Sequence, residues 1–458
     1  MDSILPSAFI RTVEGAKGFD KDSFIKVHQN GELLTSVRFN PLKKTASGQY
    51  DFAVQEKISW CSEGYYLPSR PSFTIDPLFH AGAYYVQEAS SMFLETVLKQ
   101  AADLSHPLKV LDLCAAPGGK STLIQSILGN DSLLVANEVI KTRVSILTEN
   151  LTKWGAVNTV VSNNDPSDFK RLSGFFDVIV VDAPCSGSGM FRKDPDAIKE
   201  WSEDNVSLCH HRQQRILADV LPALREGGVL VYSTCSYSPA ENENICDWLI
   251  AEQGMQSLQV NIQTFPGIVE TVSPLMGGHG YRFYPDKVKG EGFFIASFIK
   301  TKEADVADVL HGKNKMEFLP SPSVELLNKW LKKDHDISFF LQSGDIVAFP
   351  VAQISSLDIL RGALYIKKAG VVVGSLIREE LVPAHALAMS GLLRDDIQSA
   401  ALSLDDARQY LRHQSFQIAE ALRGWTLMRY DGIALGFVKA MPGRMNNYYP
   451  REWRILNK

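Results

Sequence analysis

The sequence predicts an α/β fold: a Rossmann-like, doubly wound parallel sheet, preceded by short mixed elements and followed by a small α+β module. Three observations lead there. From Leu108 to about Lys300, apolar runs rich in β-branched residues alternate with helical stretches, the pattern of repeated βαβ units. The first run ends in a small-residue turn, Cys114-Ala115-Ala116-Pro117-Gly118-Gly119, that opens a helix. The chain of 458 residues also exceeds one ordinary domain of about 150 residues, and its 45% hydrophobic and 22% charged content supports packed cores.

Residues 1–100 carry Pro41, Pro68, Pro71 and Pro77 ahead of a helical run, Gln87 to Gln100. The sheet strands are then expected at Lys109–Leu113, Leu133–Asn137, Thr159–Ser162, Phe176–Val181 and Val229–Tyr232. A charged, weakly apolar stretch, Thr301 to Lys315, reads as a linker. Beyond it, strands at Ala363–Ile366, Val371–Leu376, Thr426–Tyr430 and Ile433–Phe437 surround a helix near Ser403–His413. The expected domains are thus 1–100, 101–300 and 316–458, with 301–315 between the last two.

No run approaches the roughly 18–20 apolar residues of a membrane span, and MDSILPSAFI lacks the basic and apolar regions of a signal peptide. A cytoplasmic protein is expected. The six cysteines, Cys61, Cys114, Cys185, Cys209, Cys235 and Cys246, are too few for a disulfide scaffold and contain no C-x-x-C pair. The net charge of −5 hides an asymmetry: residues 423–458 carry seven basic side chains against Asp431 and Glu452, on a body that is acidic overall. A basic, aromatic-rich end suits a local nucleic-acid contact, although a solvated edge has the same composition.

The glycine turn after the first strand suits a nucleotide, because Gly118 and Gly119 let a ligand approach backbone amides at a helix start. A phosphate-binding P-loop needs glycine where Cys114 stands, and G-x-G-x-x-G is absent. Glu138, at the end of the second strand and 26 positions after Asp112, suits the hydroxyls of a ribose. Asp165, after the third strand, suits an adenine amine. Each acid alone is equally a helix cap or turn residue; three at successive strand ends favour a ligand.

The fourth strand runs into Asp182-Ala-Pro-Cys185-Ser-Gly and the fifth into Ser233-Thr-Cys235-Ser. These strands are normally neighbours, so both thiols are expected at the edge that holds the nucleotide. Cys61, Cys114, Cys209 and Cys246 read instead as inert interior thiols. A thiol pair in polar turns suits methylation of a pyrimidine at C5: thiolate addition at C6 makes C5 nucleophilic. Asp182 is then placed to assist at N3.

At this point the residues resemble a known family. LDLCAAPGGKS from Leu111, Asn137-Glu138, VDAPCSGSGMFRKDP from Val181 and YSTCSYSPAENE from Tyr232 resemble the RsmB/RsmF (Nop/Sun) RNA cytosine-C5 methyltransferases, most closely the bacterial RsmF type acting on ribosomal RNA. The likeness is dense from Tyr84 (YYVQEASSM) to Phe294. It is thinner at Arg38, Asn40, Leu42 and Lys43, an R-x-N-x-L-K element, and at RMNNYYP from Arg444.

The resemblance implies an S-adenosylmethionine-dependent methyltransferase sheet, an N-terminal RNA-binding extension and a C-terminal PUA-like RNA-binding module. It implies Cys235 as the C6 nucleophile, Cys185 as the residue assisting proton removal or product release, and Asp182 beside them. S-adenosylmethionine is expected against Cys114, Ala115, Ala116, Pro117, Gly118, Gly119 and Lys120, with Glu138, Arg143, Asp165 and Asp182. The partner is expected to be RNA, 16S rRNA before tRNA, with no metal and a monomeric protein. The more distant DNA cytosine-C5 enzymes use the Pro-Cys thiol as nucleophile. Where the family usually has histidine this chain has Asp286.

Uridine-C5 methylation by the same thiol chemistry, and an RNA-binding assembly factor without catalysis, stay open. Cys209-His210-His211 is set aside as a metal cluster, because consecutive helical residues diverge by about 100°. Arg192 and Lys193 border the expected cleft as phosphate contacts or as solvated charge. Trp425, Tyr448, Tyr449 and Trp453 are expected in a small core, and His279 and His385 as surface or satisfied side chains.

Overall fold

A computed structural model describes residues 5–30, 33–302, 315–333, 336–418, 422–442 and 444–456. Strand β1 (Lys109–Asp112) opens the central sheet, followed by β2 (Leu133–Asn137), β3 (Thr159–Ser162), β4 (Phe176–Asp182) and β5 (Leu224–Thr234). Their order, β3-β2-β1-β4-β5, is parallel throughout. The winding reverses between β1 and β4, which leaves a crevice at their carboxyl ends. The runs are continuously apolar because both faces are covered. Leu111, Val135, Ile179 and Leu230 point into one layer, and Val110, Leu134, Val180 and Val231 into the other.

Beyond β5 come β6 (Met255–Leu258), β7 (Val269–Val272), β8 (His279–Phe283) and β9 (Phe293–Lys300). Strand β9 lies antiparallel to β5, and its other side pairs with β8 and β6. The opposite edge is extended by a late segment, β10 (Ile366–Ala369), antiparallel to β3.

Two expected elements differ. The run at Gln87 is a turn: the Glu88 carboxylate accepts from the Ser90 and Ser91 amides, and the helix covers Leu94–Ala101. The expected strand at Ala363–Ile366 is instead the end of a helix, Ile354–Ala363, which the Leu364 amide closes on Leu360 O at 2.8 Å before β10 begins. The linker reading falls almost wholly on 303–314, outside the described residues.

The N-terminal strands Thr35–Phe39, Glu56–Lys57, Gly64–Leu67 and Tyr84–Val86 form an antiparallel sheet. It is bolted to the central domain by the R-x-N-x-L-K residues. Arg38, fully buried, donates to Thr122 Oγ1 at 2.6 Å, Ser126 Oγ at 3.1 Å and Gly119 O at 3.3 Å on helix α1 (Gly119–Ile127). Asn40 and Lys43 donate to the last carbonyls of helix α2 (Lys141–Trp154). The C-terminal stretch carries two sheets, one containing Ile337–Gln342, Asp345–Pro350 and Val371–Ile377, the other containing Gly424–Tyr430 and Ile433–Met441. Phe349, Leu357 and Leu360 share a core with Leu172 and Leu217 of the central domain. No helix among the described residues is long and apolar enough to cross a membrane.

Candidate active site

Gly118 caps helix α1 at φ +114°, a left-handed conformation that favours glycine. A Cβ at Gly119 would lie 3.3 Å from the Tyr85 ring. Beneath the turn, Asp112 accepts from Ser121 Oγ at 2.6 Å, while its Oδ1 is buried without a partner among the described residues. Burial pushes its pKa up to about 7, against the opposing Ser121 bond and Lys120 charge. The turn is held from the side by Arg143, which donates to Ala116 O at 2.6 Å and lies 3.4 Å from Glu138.

Glu138 sits at the end of β2, nearly buried, with one oxygen accepting from the Ile140 amide at 2.9 Å. A cavity of about 200 Å³ lies between Cys114, Ala115, Ala116, Pro117, Gly119, Lys120 and Asp182 on one side and Tyr85, Gln87, Glu88 and Ser91 on the other. Whole-ligand pockets run to roughly 300–1,000 Å³, so this cavity suits one end of a nucleoside-sized molecule whose other end extends along the open edge toward Glu138. The unpartnered acid oxygen, the glycine cradle and the acid on β2 fit such a group.

Strands β4 and β5 deliver the thiols. Cys185 and Cys235 face each other with sulfurs 3.1 Å apart. The hydrogen bond to Cys235, then burial and the nearby charges of Cys235 and Glu241, raise Cys185 well above an ordinary thiol. Either sulfur can donate the hydrogen that lies between them. Asp182 accepts from Ser233 Oγ at 2.7 Å and pairs with Lys120 Nζ at 2.7 Å. Burial opposes the Lys120 charge, but Asp182 and Asp112 outweigh it and raise the pKa. Lys120 consequently keeps its proton beside Asp182.

Glu241, absent from the sequence-derived set, holds both thiol loops. Its carboxylate is fully buried and accepts from the Ser186 amide at 2.8 Å, Ser186 Oγ at 2.5 Å and Ser236 Oγ at 2.5 Å. The loops also touch backbone to backbone: the Gly189 amide donates to Cys235 O at 2.6 Å, and a Cβ at Gly189 would come within 2.4 Å of that oxygen. The only sequence signal for Glu241 is its place in SPAENE. Tyr85, Gln87, Glu88 and Ser91 had a signal of the same kind in YYVQEASSM.

Several expectations change. Asp165 is a helix cap, accepting from the Ser167 amide at 3.0 Å, with its other oxygen 3.8 Å from Arg215. Both cap bonds fall on one oxygen, and the carboxylate stays 44% exposed at the carboxyl edge. Arg192 has a side chain 6% exposed and lies 3.4 Å from Glu291. Asp286 has a side chain 5% exposed, lies 3.5 Å from Lys287, and is raised by burial. His385 is half-buried, and both of its ring nitrogens are enclosed and unpartnered among the described residues, so it is not a satisfied side chain. Tyr449 is core, whereas Tyr448 is exposed and stands edge-on to Trp425 at 4.5 Å, with Lys439 5.3 Å from the Trp425 ring. Beside it a groove of about 780 Å³ is lined by His413, Phe416, Arg444, Tyr448 and Arg451. Cys209 is buried, and His210 Nδ1 is 2.7 Å from Ala240 O.

Comparison with known proteins matches this geometry. Residues 100–299 match the family described as 16S rRNA methyltransferase RsmB/F, and 5–89 and 398–455 match the N-terminal and PUA domains of RsmF. The fold and site thus define a methyltransferase of the RsmB/F class with a Rossmann-like sheet. The chain is 30% identical to the ribosomal RNA small subunit methyltransferase F of Aliivibrio fischeri (strain MJ11), covering 98% of this chain and 97% of that protein. It is 29% identical to the same-named protein of Vibrio vulnificus (strain YJ016), at 98% and 97% coverage. The chain belongs to the RsmF family. A solved methyltransferase homologue from Pyrococcus horikoshii, 27% identical, superposes with a TM-score of 0.52 over 65% of this chain and all of that one.

Proposed function

We propose that this protein is an S-adenosylmethionine-dependent methyltransferase that modifies cytosine C5 in ribosomal RNA, 16S rRNA first, through a covalent adduct between Cys235 and C6 of the base. The observation that carries this is the thiol pair at 3.1 Å, on the same sheet edge as the glycine cradle. The assignment of attack to Cys235 and of assistance to Cys185 rests on the resemblance of the Thr-Cys and Pro-Cys segments, the attacking species being a thiolate. The reading also draws on the matched family.

The residues divide the work as follows. Cys235 Sγ bonds to C6, and the C5–C6 π electrons make C5 a nucleophile. As the ring takes on negative charge a solvent water gives a proton to N3, and Asp182, held beside Lys120, accepts the resulting N3–H hydrogen bond. Bound S-adenosylmethionine supplies an electrophilic methyl group, held by the loop from Cys114 to Lys120, by Glu138 at the ribose and by Arg143 behind the turn. A water beside Cys185 then takes the C5 proton, the C5–H electrons re-form the C5–C6 double bond, N3 returns its added proton to solvent, and the C6–sulfur bond breaks to free Cys235 as thiolate. Glu241 keeps the two sulfurs at working distance throughout. The target base must be unpaired or flipped to reach them.

Residues 1–100 and 316–458 are read as RNA-binding regions flanking the catalytic domain at 101–300. The groove with Arg444, Tyr448 and Arg451 supports this for the C-terminal end. Bisulfite mapping of 16S rRNA from a strain lacking the protein tests the assignment. Loss of one 5-methylcytosine, restored by the intact gene and not by Cys235→Ala, is expected; an unchanged map would overturn it.

A further inference from the structure

The carboxyl edge of the sheet does not stop at the acid on β2. Strand β10, from the C-terminal stretch, extends the edge beyond β3, and Tyr365 sits at its head. Tyr365 is locked to the edge by backbone: its carbonyl accepts from the Asn163 amide at 3.1 Å, and its amide donates to Asn164 Oδ1 at 3.0 Å. Asn163 in turn donates through Nδ2 to Glu138 O at 2.7 Å and Val139 O at 3.1 Å. One residue therefore links Tyr365 to the acid of the cofactor cleft.

What this corner presents to solvent is unusual. Tyr365 is 60% exposed, Val139 51% and Ile140 48%. Lys367 Nζ lies 4.2 Å from the Tyr365 ring centre and 3.0 Å from its hydroxyl. Lys141, exposed at the start of α2 and just after Ile140, is a second cation whose field reaches that hydroxyl. Among the described residues no carboxylate lies within ion-pair distance of Lys141 or Lys367. Exposed aromatic and aliphatic side chains rimmed by two uncompensated cations suit a ligand that carries both flat rings and phosphates. S-adenosylmethionine has no phosphate, so it gives the lysines nothing to neutralise.

We propose that Tyr365, Lys141 and Lys367 form a platform for single-stranded RNA flanking the target cytosine, a base stacking on the free face of Tyr365 while the lysines meet its phosphates. This rests on the RNA reading above and extends it to an RNA path along the edge. Five strand spacings of roughly 4.8 Å separate β10 from β5. The platform thus stands about 24 Å along the edge from the Cys235 loop, within reach of nucleotides several positions from the base under attack.

Tyr365→Ala, Lys141→Gln and Lys367→Gln in the full chain test it, with a mixed-sequence single-stranded oligoribonucleotide as probe. All three sites are exposed, so each variant should keep the melting temperature of the wild type. Tyr365→Ala should weaken RNA binding about tenfold, as loss of one stacked base does, with the salt slope unchanged. Each lysine variant should lower the slope of log K against log salt by about 0.7, the single-strand value per phosphate neutralised. Calorimetric affinity for S-adenosylmethionine should stay within twofold. Unaltered RNA affinity and salt slope in all three variants would overturn the platform, and so would a loss confined to S-adenosylmethionine, which would move Tyr365 to the adenine side. Failure of the wild-type chain to bind any RNA would instead overturn the functional reading on which the platform rests.

Discussion

The two ends of the carboxyl edge are built to different tolerances. At the β4–β5 end, the thiol loops are fixed by a buried carboxylate with three hydrogen bonds of 2.5–2.8 Å from serines and by a backbone bond of 2.6 Å between Gly189 and Cys235. At the β2–β3 end, Glu138 has a single backbone bond to its carboxylate, and its neighbours Val139, Ile140 and Lys141 lie open to solvent. Covalent chemistry depends on sulfur positions accurate to fractions of an ångström, because the cost of misplacement grows steeply. Binding a ribose or an RNA segment depends on complementary surface and survives small displacements. The contrast predicts steep losses from substitutions at the first end and graded ones at the second.

The largest effect is expected at Glu241. Glu241→Ala removes the acceptor for four donors in a dry site, those of Ser186 N, Ser186 Oγ, Ser236 Oγ and Gln213 Nε2, so both stability and turnover should fall, stability by roughly 1–3 kcal/mol for each donor left unpaired. Denaturant unfolding with parallel single-turnover assays checks this, and a variant with wild-type stability and rate would erase the contrast. Next in size, Glu138→Ala should weaken S-adenosylmethionine binding by about 1.5–3 kcal/mol, the range for hydrogen bonds to a charged group, while leaving the maximal rate at saturating cofactor close to wild type. Calorimetry decides it; a fall in maximal rate with unchanged affinity would place Glu138 with the catalytic end.

A pH-dependent effect is expected between the two ends, beneath the glycine turn. Asp112 has a folded pKa of about 7 against 3.8 unperturbed. Below 3.8 both states hold the proton. Between 3.8 and about 7 the unfolded chain releases a proton that the folded chain keeps, so this group lowers stability as the pH rises and adds nothing further above 7. Asp112→Asn should flatten that decline, read as unfolding midpoints at pH 5 and pH 8; an unchanged decline would remove Asp112 as its source. The smallest effect is expected at the C-terminal groove. Arg444→Ala and Arg451→Ala should each reduce the salt slope of RNA binding by no more than about one, with methyl transfer at saturating RNA unchanged.

The central strands are legible because each is a short apolar run bounded by turn residues, and topology then places their carboxyl-end residues on one edge. Cys185 and Cys235 were readable as neighbours for that reason, but not their 3.1 Å separation, which depends on Glu241 and on the glycine at 189. Arg38 and Lys43 look like surface cations in a sequence; only the fold reveals that their donors end on α1 and α2. The strand expected at Ala363–Ile366 lies three residues further on, as β10, because Ala-Leu-Tyr-Ile fits a helix end as well as a strand, and its pairing is illegible because β3 lies some 200 residues earlier. For Asp165 the cap is legible in Asp-Pro-Ser itself, whereas the partner of Arg192, Glu291, stands 99 residues on and beyond any local pattern.

The most direct test of the central claim, that Cys235 attacks the base while Cys185 serves the later elimination, is a denaturing gel of the protein incubated with substrate RNA and S-adenosylmethionine. Cys185→Ala should accumulate a denaturant-resistant protein–RNA adduct, Cys235→Ala should form none, and the double variant should behave like Cys235→Ala. An adduct that persists in Cys235→Ala and vanishes in Cys185→Ala would contradict the account and make the Pro-Cys thiol the nucleophile.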